Sequence, residues 1–389
     1  MRSGHFVQQA TGYQAFIPAD LPPDPPIAFD RDLICALSEA DRALGSLEAV
    51  STLVPDPDLF VAMYVRQEAV LSSQIEGTQS TLEDVLQFEA EVRQARQPKD
   101  VTEVFNYVRA MNYGLNRLKE LPLSLRLIRE IHAQLLEGTR GSERELGEFR
   151  RSQNWIGPAG CLLSTATFVP PPPHEMKQAL DNFEKFLHEN ENLPVLIHCG
   201  LAHAQFETIH PFLDGNGRVG RLLIAFLLCQ RHVLSRPLLY LSHYFKAHRA
   251  EYYDRLMATR LDGDWEGWLR FFLRGVATVS HEAVATARAI IDLRERHQAL
   301  IRERFGSRAG HAMEILKGLY QTPLISVRNA ERALKCSYAT ANATLRRMQD
   351  EGLIEEITGG HRNRWFRYSP YVRIFEKQSA EGVSSEVGG

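Results

Sequence analysis

Between Ile209 and Leu223 the chain reads IHPFLDGNGRVGRLL, a set of residue types and spacings suited to handling phosphate. Gly215 and Gly217 flank Asn216, and glycine admits positive φ, so successive N–H groups can point into one concavity. The run that follows reads as a helix, whose free N–H groups and dipole attract an anion. Arg218 and Arg221 stand three apart on that helix, hence on one face. Two guanidiniums beside an anion nest suit a polyphosphate. Asp214 precedes the nest, where a carboxylate among phosphates implies a cation, so it is the expected Mg²⁺ ligand. His210, just before Pro211, is the residue type that takes a proton near neutral pH. Phe212, apolar within a polar loop, is expected to anchor it in the core. A base, a metal ligand, a nest and two arginines within twelve residues describe a phosphoryl- or nucleotidyl-transfer site with no covalent enzyme intermediate.

The run HPFLDGNGRVGR resembles the Fic family motif HxFx[D/E]GNGRxxR at every defined position. The resemblance implies a helical core, about residues 100–275, that transfers AMP from ATP to a Tyr, Thr or Ser hydroxyl of a target protein. It makes His210 the general base and has Asp214 hold Mg²⁺ on the α- and β-phosphates. Asn216 and the amides of Gly215 and Gly217 then bind phosphate, Arg218 takes the β/γ end and Arg221 the γ-phosphate. Upstream, SSQIEGT (72–78) is similar to the family's inhibitory motif [S/T]xxxE[G/N], with Ser72, Glu76 and Gly77 in the defined places. The resemblance pairs Glu76 with Arg221, in the place of the γ-phosphate, so that bound ATP is misaligned for in-line attack. In YFKAHRAEYYDRL (244–256), Tyr253 and Tyr244 match the region that closes over adenine; Arg260 stands where some relatives carry asparagine.

These groups need elements to hold them. Apolar periodicity predicts helices over 31–54, 58–75, 81–95, 101–119, 124–138, 174–190, 193–208, 216–232 and 246–262, and from Trp265 to about Arg304. Ser80 with Glu83 is read as a capping box, and Ser124 as a cap. Residues 1–30 read as irregular, with the proline-rich IPADLPPDPPIAF (17–29) an extended arm on the surface. Residues 138–173, rich in glycine and proline, break the helical rhythm. There NWIG (154–157) and TATFVPPPP (165–173) read as a short hairpin. It fits the family's flap, on which Trp155, Ile156, Thr167, Phe168 and Val169 would dock the target by strand addition.

After Gly306–Gly310 the rhythm shortens: helices at 311–321, 327–334 and 338–352, then strand-like runs around Gly359-Gly360. That is the order of a winged helix-turn-helix. Between His311 and Lys377 stand eleven Lys/Arg against seven Asp/Glu, and Thr340, Asn342, Thr344, Arg346 and Arg347 are DNA-contacting types, so DNA and protein partners both stay open for this module. The expected architecture is therefore all-α: an N-terminal helical region (1–99), a Fic-type helical core with a short β-hairpin flap (100–305), a C-terminal winged helix-turn-helix (306–377) and a disordered tail (378–389).

Composition adds bounds. Of 389 residues, 44% are hydrophobic and 24% charged, and the net charge of −3 makes the whole chain no obvious binder of nucleic acid or membrane. Five dispersed cysteines argue for reduced thiols and a cytoplasmic home. His198, His203, His232, His243 and His248 lack a metal-ligand pattern and read as surface or satisfied core residues. The expected cofactors are ATP as substrate and Mg²⁺, and the expected partner is a hydroxyl-bearing protein. A homodimer masking the brake is a further expected partner; AMP removal at the same site and a transcriptional regulator acting through the winged helix remain the alternatives.

Overall fold

The computed structural model describes residues 2–53, 57–90, 99–139, 145–158, 160–189, 192–359 and 364–384. The chain opens with an antiparallel hairpin, β1 (Gly4–Gln8) and β2 (Gln14–Pro18), in which Phe6 faces Phe16. Helices follow: α1 (Arg31–Leu53), α2 (Pro57–Ile75), α3 (Leu82–Glu89), α4 (Lys99–Arg117), α5 (Leu125–Leu136), α6 (Pro173–Glu189), α7 (Val195–Ile209), α8 (Asn216–Gln230), α9 (Ser242–Ala247), α10 (Arg249–Asp262) and α11 (Trp265–Arg304). The C-terminal part runs α12 (Ala309–Gln321), β3 (Leu324–Ser326), α13 (Val327–Leu334), α14 (Tyr338–Asp350), β4 (Glu355–Glu356), β5 (Trp365–Arg367) and α15 (Ser369–Ser384). Its sheet is antiparallel in the order β3-β5-β4.

Local chemistry sets the boundaries. Ser124 accepts from Leu127 N–H at 3.4 Å to start α5, and Asp264 from Gly267 N–H at 2.9 Å to start α11. Gly263, in the left-handed region at φ 70°, ends α10. The capping box of α3 is Thr81 with Asp84, one residue on from the Ser80–Glu83 pair the sequence suggested. The expected helix over 246–262 is interrupted at His248, which separates α9 from α10. Part of the expected 81–95 helix lies outside the described residues.

The core is built around α7 and α8. Every residue from Leu196 to Ile209 is buried, so α7 has no polar face and must run through the interior. From Asn216 to Leu228 α8 is buried at every position but one. The loop between these two central helices is therefore held by core on both sides. The long α11 packs along α1 and braces α7, while α4 and α5 cover the other flank. The C-terminal part is not free-standing. Tyr64 on α2 meets Phe375 on α15 edge-on at 5.3 Å, Gln67 Nε2 donates to the Phe375 carbonyl at 3.2 Å, and Arg367 pairs with Glu83 at 3.1 Å.

Three expectations are corrected here. Residues 4–18 form a hairpin and are not irregular. The C-terminal part carries a third strand, β3, and a closing helix, α15, that reaches Ser384 inside the segment expected to be disordered. The hairpin expected at 150–173 reduces, among the described residues, to a single antiparallel bridge, Ile156 to Phe168, around a short helical turn. Among the described residues no helix is long and apolar enough to cross a membrane.

Candidate active site

The loop joining α7 to α8 is shaped by backbone constraints. His210 closes α7 in the left-handed region (φ 48°), and Gly215 opens α8 in the same region (φ 77°). A non-glycine residue at positive φ is strained and needs support from its surroundings. Here Arg150 supplies it: Nε donates to the His210 carbonyl at 3.0 Å, and Nη2 reaches the carbonyls of Pro171 and Ile209. Asn154 Nδ2 donates to the carbonyls of His210 and Phe212 at 3.2 and 2.8 Å. Below the loop, His132 stacks on Phe212 at 3.8 Å and bonds the Asp214 carbonyl through Nε2 at 3.1 Å, while its Nδ1 accepts from Gly147 N–H at 3.0 Å.

The charges on this loop are arranged around Arg221. Its Nε donates to Ser72 Oγ at 2.8 Å, and its Nη2 to the Ser72 carbonyl at 2.9 Å and to Glu76 Oε1 at 2.7 Å. Burial alone would raise the Glu76 carboxyl, but Arg221, with Arg218 and His210 behind it, holds it below the ordinary carboxylate value. A Cβ on Gly217 would stand 2.2 Å from the same Glu76 oxygen, so the carboxylate rests on the bare backbone at the start of α8. An acid group thus occupies the helix N-terminus, where an anion is favoured. Arg218 pairs with Glu103 at 3.1 Å and with Asp214 at 3.5 Å. Burial, then the charges of Arg260 and Arg150, push the His210 imidazole down to about 3, which keeps it neutral in this Glu76-closed arrangement.

The Fic/DOC family N-terminal profile matches residues 34–116, and the Fic/DOC family profile matches residues 122–228. The chain belongs to the Fic/DOC family. A relative from Drosophila grimshawi, named protein adenylyltransferase Fic, is 28% identical over 65% of this chain and 46% of its own length. One of the same name from Aedes aegypti is 35% identical over 38% of this chain and 27% of its own. The chain thus spans less than half the length of these curated relatives. Its fold is similar to a Fic family protein from Desulfovibrio desulfuricans, with a TM-score of 0.58 and 20% identity, covering 88% of this chain and 97% of that one. A Fic domain containing signaling protein from Bacteroides thetaiotaomicron aligns over 64% and 97%, with a TM-score of 0.50 and 18% identity.

Within this Fic chain the expected site residues divide. His210, Asp214, Gly215, Gly217, Arg218, Arg221, Ser72 and Glu76 meet at one place, with Gly77 turning the chain at φ 98°. Tyr253 lies near by, 38% exposed with Arg249 over its ring at 5.4 Å. Three expectations differ. The Asn216 side chain does not face outward: Oδ1 accepts from Phe212 N–H and Nδ2 donates to the Phe212 carbonyl, both at 2.8 Å, so it ties the loop shut. Tyr244 is 8% exposed and packs on Phe271 and Gly275, which leaves Tyr253 as the tyrosine with an open face. In the flap, Trp155 and Thr167 are exposed and Ile156 is half-buried, but Phe168 and Val169 turn into the interior and anchor the flap.

Several working residues carry no motif. His132, Arg150 and Asn154 hold the loop, and their partners are backbone carbonyls and amides that no local pattern marks. Glu207 and Glu68 are buried beside Arg221, and burial pushes both carboxyls up to about 7. Of the histidines read as satisfied, His203 bonds the Gly220 carbonyl and the Tyr252 hydroxyl, both at 2.9 Å, and His198 bonds the Phe186 carbonyl at 2.9 Å.

Proposed function

We propose that this chain is a self-inhibited protein adenylyltransferase. It moves AMP from ATP to a Tyr, Thr or Ser hydroxyl of a target protein and of itself. The observation that carries the reading is the Glu76 carboxylate, held 2.7 Å from Arg221 and resting on Gly217 at the start of α8. A carboxylate there stands where a phosphate oxygen would be received.

In the active form Glu76 leaves and the triphosphate takes its place against Arg221, Arg218 and the amides of Gly215 and Gly217. The neutral His210 takes the proton of the target hydroxyl. The hydroxyl oxygen forms a bond to the α-phosphorus, the bond from that phosphorus to the bridging oxygen breaks, and pyrophosphate leaves. Tyr253 offers a ring face to adenine. Among the described residues no group of three metal-binding side chains stands together. Asp214 alone, with 37% of its side chain accessible, fits Mg²⁺, which keeps waters and takes one or two carboxylates plus substrate phosphates. Bound there, Mg²⁺ would neutralise charge on the phosphates. Alignment is what Glu76 spoils, and a displacement of about 1 Å can cost about a hundredfold in rate.

The test is incorporation of label from α-³²P-ATP into wild type, Glu76→Gly and Glu76→Gly/His210→Ala. Label strongest in Glu76→Gly supports transfer, brake and base together. No label in any of them would overturn the reading and leave AMP removal, by the same residues with water as acceptor, as the next assay.

We read residues 306–377 as a winged helix-turn-helix, with α14 as the contacting element because Tyr338 at its start is 47% exposed and Arg346, two turns on, is also at the surface. DNA is one partner for it. A homodimer that shields the brake, and a cytoplasmic setting, complete the reading.

A further inference from the structure

We infer that the N-terminal hairpin is a working part of the target-docking flap, fixing its position through the positioning residue Phe16; this rests on the adenylyltransferase reading for its consequence but not for its geometry. The flap by itself is slight. Ile156 N–H donates to the Phe168 carbonyl at 2.8 Å, Phe168 N–H donates back at 3.0 Å, and no second pair joins the two runs among the described residues. A two-stranded piece of that size is marginal alone in water.

The exchange of both bonds between Ile156 and Phe168 turns the backbone groups of Val169 to the opposite side of its strand. There the Phe16 N–H of β2 donates to the Val169 carbonyl at 2.9 Å. The outer edge of the 166–169 run is therefore tied at Val169 to this chain's own hairpin. Side chains repeat the connection. The Phe16 ring, fully buried, lies 5.1 Å from Phe6 and 5.9 Å from Phe168. Tyr13 Oη donates to Gln153 Oε1 at 3.3 Å, and Gln153 Nε2 donates to the Pro170 carbonyl at 2.9 Å.

Phe168 in turn is tied through Arg260 to the last turn of α7, next to His210. The Arg260 guanidinium lies 4.0 Å from its ring centre, a cation–π contact, and donates to Thr208 Oγ1 and the Glu207 carbonyl, both at 3.1 Å. Those residues lie two and three positions before His210. An unbroken path thus runs from Phe16 through Phe168 and Arg260 to the turn that holds the base.

The hairpin can act as a brace because the arm around it is tied to the helical core independently of the flap. Arg2 pairs with Glu266 at 3.1 Å, Ala28 N–H donates to Glu266 at 2.7 Å, Gln205 Nε2 donates to the Ala19 carbonyl at 2.9 Å, and Leu21 N–H to Asn182 Oδ1 at 3.0 Å. Gly4 makes the close packing possible: at φ 138°, a Cβ there would lie 2.2 Å from the Ile17 carbonyl and 2.7 Å from the Phe16 ring.

With the other edge held at Val169, the outer edge of 155–157 is open to an incoming extended segment. The backbone groups of Trp155 and Gly157 have no hydrogen-bond partner among the described residues, and the Trp155 side chain is 41% exposed. A segment added there takes its register from the flap, and the flap takes its position from Phe16. A one-residue slip would turn the hydroxyl to the other face.

The experiment compares Phe16→Ala and Phe16→Leu, each in the full-length Glu76→Gly background. Hydrogen exchange is followed in residues 153–169, ATP binding by titration, and AMP transfer onto the His210→Ala chain as acceptor. In Phe16→Ala, flap amides should exchange about tenfold faster or more, the KM for the acceptor should rise, and ATP affinity should stay within about twofold. Phe16→Leu, which keeps apolar volume, guards against simple unfolding and should show a smaller shift in the same direction. Flap exchange unchanged in folded Phe16→Ala protein, or a loss confined to ATP affinity, overturns the inference. Should the Glu76→Gly parent transfer no AMP, the function reading fails while the exchange data still decide the brace.

Discussion

The Glu76 carboxylate reaches Arg221 at 2.7 Å across 145 positions of sequence, and Ser72, one helical turn earlier, grips the same guanidinium with both its hydroxyl and its carbonyl. Arg221 is buried, so its charge needs partners wherever it points. Glu76 keeps 35% of its side chain accessible. The arginine is the fixed member of the pair, and the glutamate is the one with room to leave.

Replacing Glu76 by Gly should therefore raise self-modification by about ten- to a hundredfold, the scale set by relieving a misplaced phosphate. Ser72→Ala should raise it less, since the Ser72 carbonyl and Glu76 remain. Label incorporation from α-³²P-ATP decides both, and unchanged activity in Glu76→Gly would end the brake reading.

His210→Ala in the Glu76→Gly background should cut transfer by about 10²–10⁴-fold, the usual worth of a general base. ATP affinity should hold within about twofold, because in the proposed mechanism the imidazole meets the hydroxyl and not the nucleotide. Isothermal titration beside the label assay separates the two quantities.

Gly217→Ala should weaken ATP binding by about tenfold or more, roughly 1.4 kcal/mol. Its methyl would fill the space now taken by the Glu76 oxygen, 2.2 Å away. The loss should persist when Glu76 is already Gly, since the same space receives phosphate. Normal ATP affinity in that double variant would place the anion elsewhere.

Acid should destabilise the fold from about pH 6 downward. Burial, the largest cause at each, pushes His132, His198 and His297 down to about 4, and His203 and His210 down to about 3. A base with a depressed folded value takes up its proton first in the unfolded chain, so stability is present above about pH 6.5 and is lost as pH falls toward the folded values. Each such proton is worth about 1.4 kcal/mol per pH unit. Glu68 and Glu207, raised to about 7, act in the opposite sense between about pH 4.5 and 7, but they are two groups against five. Melting temperature measured from pH 7.5 to 5 should fall; a flat or rising profile would contradict these environments.

The catalytic loop was legible because its chemistry is local: base, acid, nest and arginines lie in one run whose order is its geometry. The partner of Arg221 was legible only through a second motif. What escaped were roles that depend on distant backbone. Asn216 looks like a phosphate donor until Phe212 takes both ends of its amide. Tyr244 looks like its neighbour Tyr253 until Phe271 and Gly275 enclose it. The N-terminal hairpin left a trace, two short apolar runs around Thr11-Gly12, but its stability comes from packing on residues more than 150 positions away. Ser80 and Thr81 are both good caps, and only the turn before α3 chooses between them.

The contact of α15 with α2 also limits how this protein can be dissected. Tyr64 and Gln67 lie one to two turns ahead of Ser72 on the helix that ends at Ile75, and both are covered by Phe375. A chain severed near residue 306 would bare that face of the helix to water. The C-terminal part is thus not an appendage that can be cut away to leave a neutral remainder: excision strips the very helix that carries Ser72 and leads into Glu76, and any activity measured afterward is that of an altered restraint.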